Sequence, residues 1–134
     1  MINNRKAFIV GLRSYNISSK ERIFLKKYKP WGVILFSRNI KSINQTKNLT
    51  NDIKKIFKDK KYPVLIDQEG GRVNRLNKII SFDNLTSEYF GNLYEKDKKK
   101  INVIYKLFDD KTSYLLKLIG TIINTVPVLA LKDK

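Results

Sequence analysis

The sequence of 134 residues contains no cysteine and no histidine. Without thiols the chain can form neither disulfides nor thiolate metal sites, which suits a reducing compartment. Without imidazole it has no histidine general base, no Ser-His pair and no HExxH zinc site. No run approaches the ~18 consecutive apolar residues of a membrane-spanning helix, and the amino terminus lacks the apolar core of a signal peptide. A soluble cytoplasmic protein with no metal, no other cofactor and no membrane partner is therefore expected.

The chain does contain enough apolar material for one folded domain. Its hydrophobic fraction is 42%, with seven Phe, seven Tyr and one Trp, whereas disordered chains lack the aromatic residues needed to bury surface. A single domain spanning residues 1–134 is expected, because this length allows a core but does not allow two ordinary domains.

The net charge is +16, from 28 Lys and Arg against 12 Asp and Glu. A basic surface attracts nucleic acid or anionic membranes, because binding releases condensed counterions. The other explanation of the positive charge is a compositional bias of an AT-rich coding sequence, because most of the excess is lysine, spread along the chain among many Asn and Ile. The sequence has no cluster of arginines interleaved with aromatic residues, which nucleic-acid binding would favour. Nucleic acid is therefore not the expected partner, although a basic, non-enzymatic binding module stays open as an alternative function.

Short apolar runs alternate with amphipathic segments. Strands are predicted at KAFIVG (6–11), WGVILFSRN (31–39), YPVLI (62–66) and within TIINTVPVLAL (121–131). Helices are predicted from about Ser19 to Tyr28, after Ser42, and from Lys99 to Ile119; Ser18 with Glu21 and Ser42 with Gln45 have N-cap spacing. The apolar stripe of the last helix comprises Ile101, Ile104, Tyr105, Phe108, Leu115, Leu116 and Ile119. The stretch LNKIISFDNLTSEYFGNLYEKDKKK (76–100), which leads into that helix, has no firm secondary-structure assignment.

This β/α alternation with buried-type strands predicts parallel pairing through right-handed crossovers. Two architectures compete. A doubly wound open sheet fits the length, whereas a complete eight-fold β/α barrel usually needs about 250 residues. Length alone favours the open sheet.

The stretch PVLIDQEGGRVNR (63–75) holds the only adjacent glycines of the sequence. Asp67 follows a predicted strand, and ligands of parallel β/α folds meet the carboxyl ends of strands. Its carboxylate can accept hydrogen bonds from two hydroxyl groups, such as the vicinal hydroxyls of a sugar. Gly70 and Gly71 let the backbone turn sharply and approach a ligand closely.

The arginines of the same stretch have two explanations. Arg72 and Arg75 can donate to oxygen-rich groups of a ligand. The alternative is an ordinary turn in which Asp67 or Glu69 forms a salt bridge with Arg72, Arg75 or the more distant Arg38. Neither phosphate-binding glycine pattern, GxGxxG or GxxxxGK[ST], occurs in the sequence.

DQEGGRVNR (67–75) resembles the DQEGGRVxR motif of the bacterial β-N-acetylglucosaminidases of glycoside hydrolase family 3. Upstream, WGVILFSRN (31–39) looks like that family's GGVILFxRN, and SSKERIFLKKYKP (18–30) occupies the place of its first barrel helix. Downstream, NTVPVLAL (124–131) looks like its FAPVLDV segment, with Ala130 where the family has Asp. The four landmarks occur in the family's order over nearly the whole chain.

The resemblance implies the amino-terminal portion of a TIM (β/α)8 barrel, an incomplete barrel of about three to four βα units. By motif position, Asp67 and Arg75 match residues that bind the N-acetylglucosamine unit at the non-reducing end of a saccharide. The matching positions to which a supporting role is assigned are Arg38, Asn39, Glu69, Gly70, Gly71 and Arg72.

Family members cleave with retention, through an aspartate nucleophile and a histidine-containing loop, KHFPGHG. This chain has no histidine and so lacks that loop. The resemblance therefore implies a truncated member of a family that hydrolyses O-glycosyl bonds of peptidoglycan fragments in cell-wall recycling. No catalytic residue is assigned to this chain, and it is expected to be inactive alone, because acid/base help contributes ~10²- to 10⁴-fold. A gene remnant and a piece of a split enzyme are both open. A second chain that completes the barrel is a further candidate partner.

Overall fold

The computed structural model describes residues 4–126. They form a parallel sheet of the strands β1 (Lys6–Gly11), β2 (Pro30–Leu35), β3 (Val64–Ile66) and β4 (Ile123–Asn124). The helices are α1 (Ser19–Tyr28), α2 (Ile43–Phe57), α3 (Ser87–Lys96) and α4 (Lys98–Leu118), and a 3₁₀ turn at Ser37–Asn39 follows β2. Every neighbouring pair of strands is parallel. The predicted α/β class with a parallel sheet is confirmed.

The strands lie side by side in chain order, β1-β2-β3-β4. A doubly wound sheet reverses its strand order at a switch point, and no reversal occurs between residues 4 and 126. The length-based preference for a doubly wound sheet therefore finds no support in the described strands.

Helix α1 begins with the capping box that the sequence predicted. The Ser18 hydroxyl accepts a hydrogen bond from the Glu21 N–H at 3.2 Å, and the Glu21 carboxylate accepts one from the Ser18 N–H at 2.9 Å. Both backbone donors would otherwise lack a partner at the helix start. Partial burial would raise the pKa of Glu21, but hydrogen bonds from Ser18 and from the Arg13 N–H outweigh it and hold the pKa below its ordinary value.

Helix α2 begins in a related way, with one difference. Ser42 caps it by accepting from the Gln45 N–H at 3.3 Å. The Gln45 side chain does not return to Ser42; its oxygen accepts from the Lys41 N–H at 2.8 Å and its NH₂ donates to the Tyr15 carbonyl at 2.7 Å. Gln45 therefore ties the start of α2 to the loop after β1.

The buried apolar side chains form two clusters. The first packs β2 and β3 against α1 and α2 and comprises Leu12, Leu25, Val33, Leu35, Leu49, Ile53, Tyr62 and Val64. The second packs the end of β3 and the loop after it against α4 and comprises Ile40, Ile66, Leu76, Phe82, Leu115, Leu116 and Ile119. The predicted stripe of α4 is buried at Ile101 and at its carboxyl end, whereas Tyr105 within the stripe is 47% exposed.

The unassigned stretch contains α3, which packs on α4. Thr86 caps α3 by accepting from the Tyr89 N–H at 3.0 Å, and Phe90 is its one buried residue. Asp97 then separates the two helices and caps α4, accepting from the N–H groups of Lys99 and Lys100. Asp97 is thus the residue at which α3 ends and α4 begins.

The loop between β3 and α3 turns at the two adjacent glycines. Gly70 and Gly71 have φ of +97° and +55°, a region that residues with a Cβ rarely adopt. A Cβ on Gly70 would lie 2.5 Å from the Leu85 carbonyl oxygen, and one on Gly71 would lie 2.7 Å from Thr86 Cγ2. The close approach predicted for a ligand is made here by the protein's own residues, Leu85 and Thr86.

Two sequence predictions concern the carboxyl-terminal part. The strand predicted within 121–131 is present as β4, and residues 127–131, including Ala130, lie outside the described residues. Within residues 4–126, no helix combines the length and the apolar character needed to span a membrane.

The Ser18 cap predicts a measurable loss on substitution. Ser18→Ala removes the hydroxyl that satisfies the Glu21 N–H, so the free energy of unfolding should fall by about 1 kcal/mol in urea denaturation. Ser19→Ala is the matched control, because Ser19 is an exposed first residue of the helix; it should change stability by less than about 0.5 kcal/mol. Equal losses in both variants would contradict the capping role.

Replacing glycine by alanine should have opposite effects in the glycine turn and in helix α3. Gly71→Ala should destabilise the protein by more than about 1 kcal/mol, because Ala is strained at φ +55° and its Cβ meets Thr86. Gly91→Ala, inside α3 with no atom within 4 Å of the new Cβ, should stabilise by roughly 0.5–1 kcal/mol. Thermal or urea unfolding measures both, and a Gly71→Ala variant as stable as the original chain would disprove the strained turn.

Candidate functional site

Asp67 lies directly after β3, at the carboxyl end of the sheet, and two side chains contact its carboxylate. Arg75 Nη2 donates to Oδ2 at 3.2 Å, and the Thr125 hydroxyl donates to Oδ1 at 3.2 Å. The side chains of Asp67 and Arg75 are each 25% exposed, so the pair is open to solvent on one side. The structure thus brings together the two residues predicted to bind substrate. The same contact is the salt bridge of the alternative explanation.

The Phe36 ring contacts both of the arginines that follow β2 and β3. The guanidinium carbon of Arg38 is 4.5 Å from the Phe36 ring centroid and that of Arg75 is 5.5 Å away, both within the range of a cation–π contact. Arg38 also donates from Nε to the Leu12 carbonyl at 2.8 Å. Phe36 was not among the predicted site residues; its signal in the sequence is its place at the end of the apolar run WGVILF, two residues before Arg38.

Asn39 joins the loops that follow β1 and β2. Its Nδ2 donates to the carbonyls of Leu12 at 3.0 Å and Ser14 at 2.9 Å, and its Oδ1 accepts from the Phe36 N–H at 2.9 Å. The side chain is fully buried. Asn39 therefore holds the backbone around Phe36 and Arg38 and is not open to a ligand.

Gln68 and Asn124 form a second amide contact, between the ends of β3 and β4. The Gln68 N–H donates to Asn124 Oδ1 at 3.0 Å, and Asn124 Nδ2 donates to the Gln68 carbonyl at 3.2 Å. Gln68 Oε1 accepts from the Leu76 N–H at 3.0 Å, which fixes the start of the segment after Arg75. Neither this Gln68–Asn124 pair nor Thr125 was predicted as part of the site.

The remaining predicted residues are not at the Asp67–Arg75 pair. Glu69 is half-buried and Arg72 is exposed, and within residues 4–126 neither side chain forms an ion pair. Arg38 reaches the pair only through the shared ring of Phe36. Gly70 and Gly71 act through the turn that returns Arg75 to Asp67.

The pair combines acceptor and donor capacity at one place. The Asp67 carboxylate has about four lone-pair sites, of which Arg75 and Thr125 occupy one each, so oxygens remain to accept ligand hydroxyls. Arg75 Nε is buried and has no hydrogen-bond partner in the described part of the chain. Between residues 4 and 126, no three His, Cys, Asp or Glu side chains lie close enough together to hold a metal ion. The arrangement suits a neutral ligand rich in hydroxyl groups.

Comparison of sequences finds related proteins of one kind. The chain is 45% identical over 69 residues to a β-hexosaminidase of Alkalilimnicola ehrlichii, covering 50% of this chain and 19% of that protein. It is 27% identical over 124 residues to a β-hexosaminidase of Thioalkalivibrio sulfidiphilus, covering 92% of this chain and 35% of that protein. No protein-family model matches the chain.

Comparison of structures agrees with the sequence relatives. NagZ from Neisseria gonorrhoeae, crystallised with N-trifluoroacetyl-D-glucosamine, matches 96% of this chain with a TM-score of 0.79 and 25% identity. The match covers 38% of the NagZ chain, so this chain spans well under half the length of the relatives that it matches. The resemblance first seen in DQEGGRVNR is thereby confirmed. The chain is a relative of the bacterial β-hexosaminidases of glycoside hydrolase family 3 and resembles the amino-terminal part of those proteins.

Proposed function

We propose that this chain binds a terminal N-acetylglucosamine unit through Asp67 and Arg75, as the amino-terminal portion of a β-N-acetylhexosaminidase barrel. The observation that carries the proposal is the Asp67–Arg75 contact of 3.2 Å at the carboxyl end of a parallel sheet, with both side chains a quarter exposed. In parallel β/α folds this edge of the sheet is where ligands bind.

The contacts around Asp67 support binding because they fix its carboxylate before a ligand arrives. Arg75 holds one oxygen, Thr125 holds the other, and the Phe36 ring contacts the guanidinium of Arg75. A carboxylate oriented in this way loses little conformational freedom when it accepts hydroxyl hydrogen bonds. The sugar derivative bound to NagZ in its crystal structure is an analogue of N-acetylglucosamine, which supports this class of ligand here.

The barrel portion is supported by the strand order and by the open side of β1. Within residues 4–126, β1 pairs with β2 alone, and its Phe8 and Ile9 are 37% and 45% exposed. An unpaired edge of this kind invites another strand. The strand that would pair with β1 and the remaining βα units are proposed to come from outside residues 4–126.

Binding without hydrolysis is the proposed role of these 134 residues taken alone. The sequence holds no histidine, and the site consists of an ion pair and hydroxyl-binding groups without an assigned nucleophile or proton donor. Peptidoglycan fragments with a terminal N-acetylglucosamine are the proposed ligands, and the cytoplasm is the proposed location. A basic binding module gains no support, because lysines occur in all four helices instead of one.

Saccharide binding can be tested by NMR on the isotope-labelled chain. N-acetylglucosamine should shift the amide signals of residues 67–75 and 125. Asp67→Ala should weaken binding by about tenfold or more, because charge-assisted hydrogen bonds to ligand hydroxyls are lost. Asp52→Ala is the matched control, since Asp52 is a carboxylate of α2 that pairs with Lys55, and it should bind as the original chain does. A folded chain whose spectrum does not respond to the sugar would refute the proposed function.

Hydrolysis is tested separately, with a chromogenic β-N-acetylglucosaminide. The purified chain should release chromophore no faster than a heat-killed sample, because general acid/base and covalent catalysis are both missing from the proposed site. Turnover above that background, lost in Asp67→Ala and kept in Asp52→Ala, would show that these residues catalyse unaided.

A further inference from the structure

A cavity of about 230 Å³ lies beside the Gln68–Asn124 pair, bordered by the residues after β3 and by α3 and α4. An aromatic cluster forms one side of it, in which Phe90 contacts Tyr105 at a centroid distance of 5.0 Å and Phe108 at 5.4 Å. Asp67 and Arg75 do not line this cavity. It is therefore separate from the proposed N-acetylglucosamine site, and the inference below does not rest on that function.

The charge of the cavity is opposite to that of the chain. Glu69 and Asp109 line it, and no described Lys or Arg does, although basic residues outnumber acidic ones 28 to 12 in the sequence. The cavity beside the end of α2 shows the contrast, since Lys54, Lys55 and Lys58 line it. Two carboxylates beside aromatic rings favour a cationic ligand, because both attract positive charge.

Two buried side chains of the cavity wall carry a polar atom without a partner. These atoms are Gln68 Nε2 and Thr112 Oγ1, and no residue between 4 and 126 hydrogen-bonds to either. Gln68 is 1% exposed and Thr112 is 5% exposed, and buried polar side chains are nearly always paired in native proteins. Each atom therefore points to a partner that the described chain does not supply.

The chemistry of these two atoms limits what that partner can be. Gln68 Oε1 already accepts from the Leu76 N–H, so Nε2 must donate and its partner must be an acceptor. The Thr112 hydroxyl can donate or accept. A hydroxyl oxygen of a ligand meets both requirements, whereas a simple metal cation cannot accept the hydrogen bond from Gln68 Nε2.

We propose that this cavity binds a small hydroxylated amine in its protonated form, of the size of one hexosamine ring. The ammonium group would lie between Glu69 and Asp109 against the aromatic cluster, and ligand hydroxyls would pair with Gln68 and Thr112. The cavity volume of about 230 Å³ is below the roughly 300–1,000 Å³ of sites for drug-sized ligands. That space suits a single sugar ring.

The test uses glucosamine, whose amine is free, with N-acetylglucosamine and glucose as neutral comparison ligands. Glucosamine should shift NMR signals of α4 around residues 105–112 and of residues 68 and 69. Both neutral sugars should be at least about tenfold weaker there, because they lack a charge-assisted hydrogen bond to a carboxylate. Equal responses to glucose and glucosamine, or no response of α4 to glucosamine, would overturn the proposal.

Charge-matched variants distinguish binding by the carboxylates of the cavity from non-specific attraction to other acidic residues. Glu69→Gln and Asp109→Asn should each weaken glucosamine binding by about tenfold. Glu88→Gln on α3 and Asp110→Asn on α4 remove the same charge outside the cavity wall and should leave the affinity within about twofold, because exposed charges are screened. Equal weakening in both sets would show only non-specific attraction and would overturn the site.

Thr112→Val tests the unpaired hydroxyl at nearly constant volume. Glucosamine binding should weaken, while the Tm should stay the same or rise, because a buried polar group without a partner is removed. A lower Tm would show that Thr112 is paired within the protein and would count against its role. Asp67→Ala should weaken the response of residues 67–75 to N-acetylglucosamine by about tenfold or more and keep the response of α4 to glucosamine, so failure of one site is distinguishable from failure of the other.

Discussion

Side-chain amides hold the carboxyl end of this sheet together at the point where the hydrogen bonds between strands stop. Backbone groups there must find partners, because a buried N–H or C=O without one is costly. Asn39 supplies them between the ends of β1 and β2, and Asn124 supplies them between β3 and β4. Asp67 precedes Gln68 directly, so the contact that fixes the end of β3 also fixes the position of the carboxylate.

The glycine turn then determines which side chain meets that carboxylate. The Val73 carbonyl accepts from the N–H groups of Glu69 and Gly70, and the Val73 N–H donates back to Gly70, so the chain reverses within five residues. The reversal returns Arg75 to Asp67, eight positions earlier in the chain. Leu85 and Thr86 pack against the two glycines and leave no room for a Cβ. The ion pair therefore depends on a turn that only glycine can make without strain.

Three consecutive residues divide the carboxyl end of the sheet into two environments. Asp67 meets a guanidinium, whereas Gln68 and Glu69 line a cavity that no described cation borders. The first place suits a neutral polyhydroxyl ligand, since its charges already neutralise each other. The second keeps uncompensated negative charge next to aromatic rings. One short segment thus supports two proposals of different chemistry, and each is tested by its own ligand.

Local patterns were sufficient for most of the secondary structure. The bounds predicted for β1 and α1 agree with the structure, and α4 differs by one residue at each end, because apolar runs and N-caps are encoded by neighbouring residues. Helix α3 was missed because one buried residue, Phe90, gives too weak a periodicity to detect. Tyr105 belongs to the predicted stripe and is still 47% exposed, because periodicity shows the side of a helix but not how far the neighbouring elements extend over it.

Some residues of the candidate site were predictable from the sequence, and the others became evident only in the tertiary structure. The motif DQEGGRVNR identified Asp67 and Arg75 through its resemblance to the family motif, while the residues alone left a sugar site and an ordinary salt-bridged turn both open. The contacts of Phe36, Asn124 and Thr125 were decided only by the tertiary structure. Thr125 meets Asp67 across 58 positions, and Asn124 meets Gln68 across 56. No local pattern encodes partners so far apart, because strand register and crossover packing bring them together only when the whole sheet has formed.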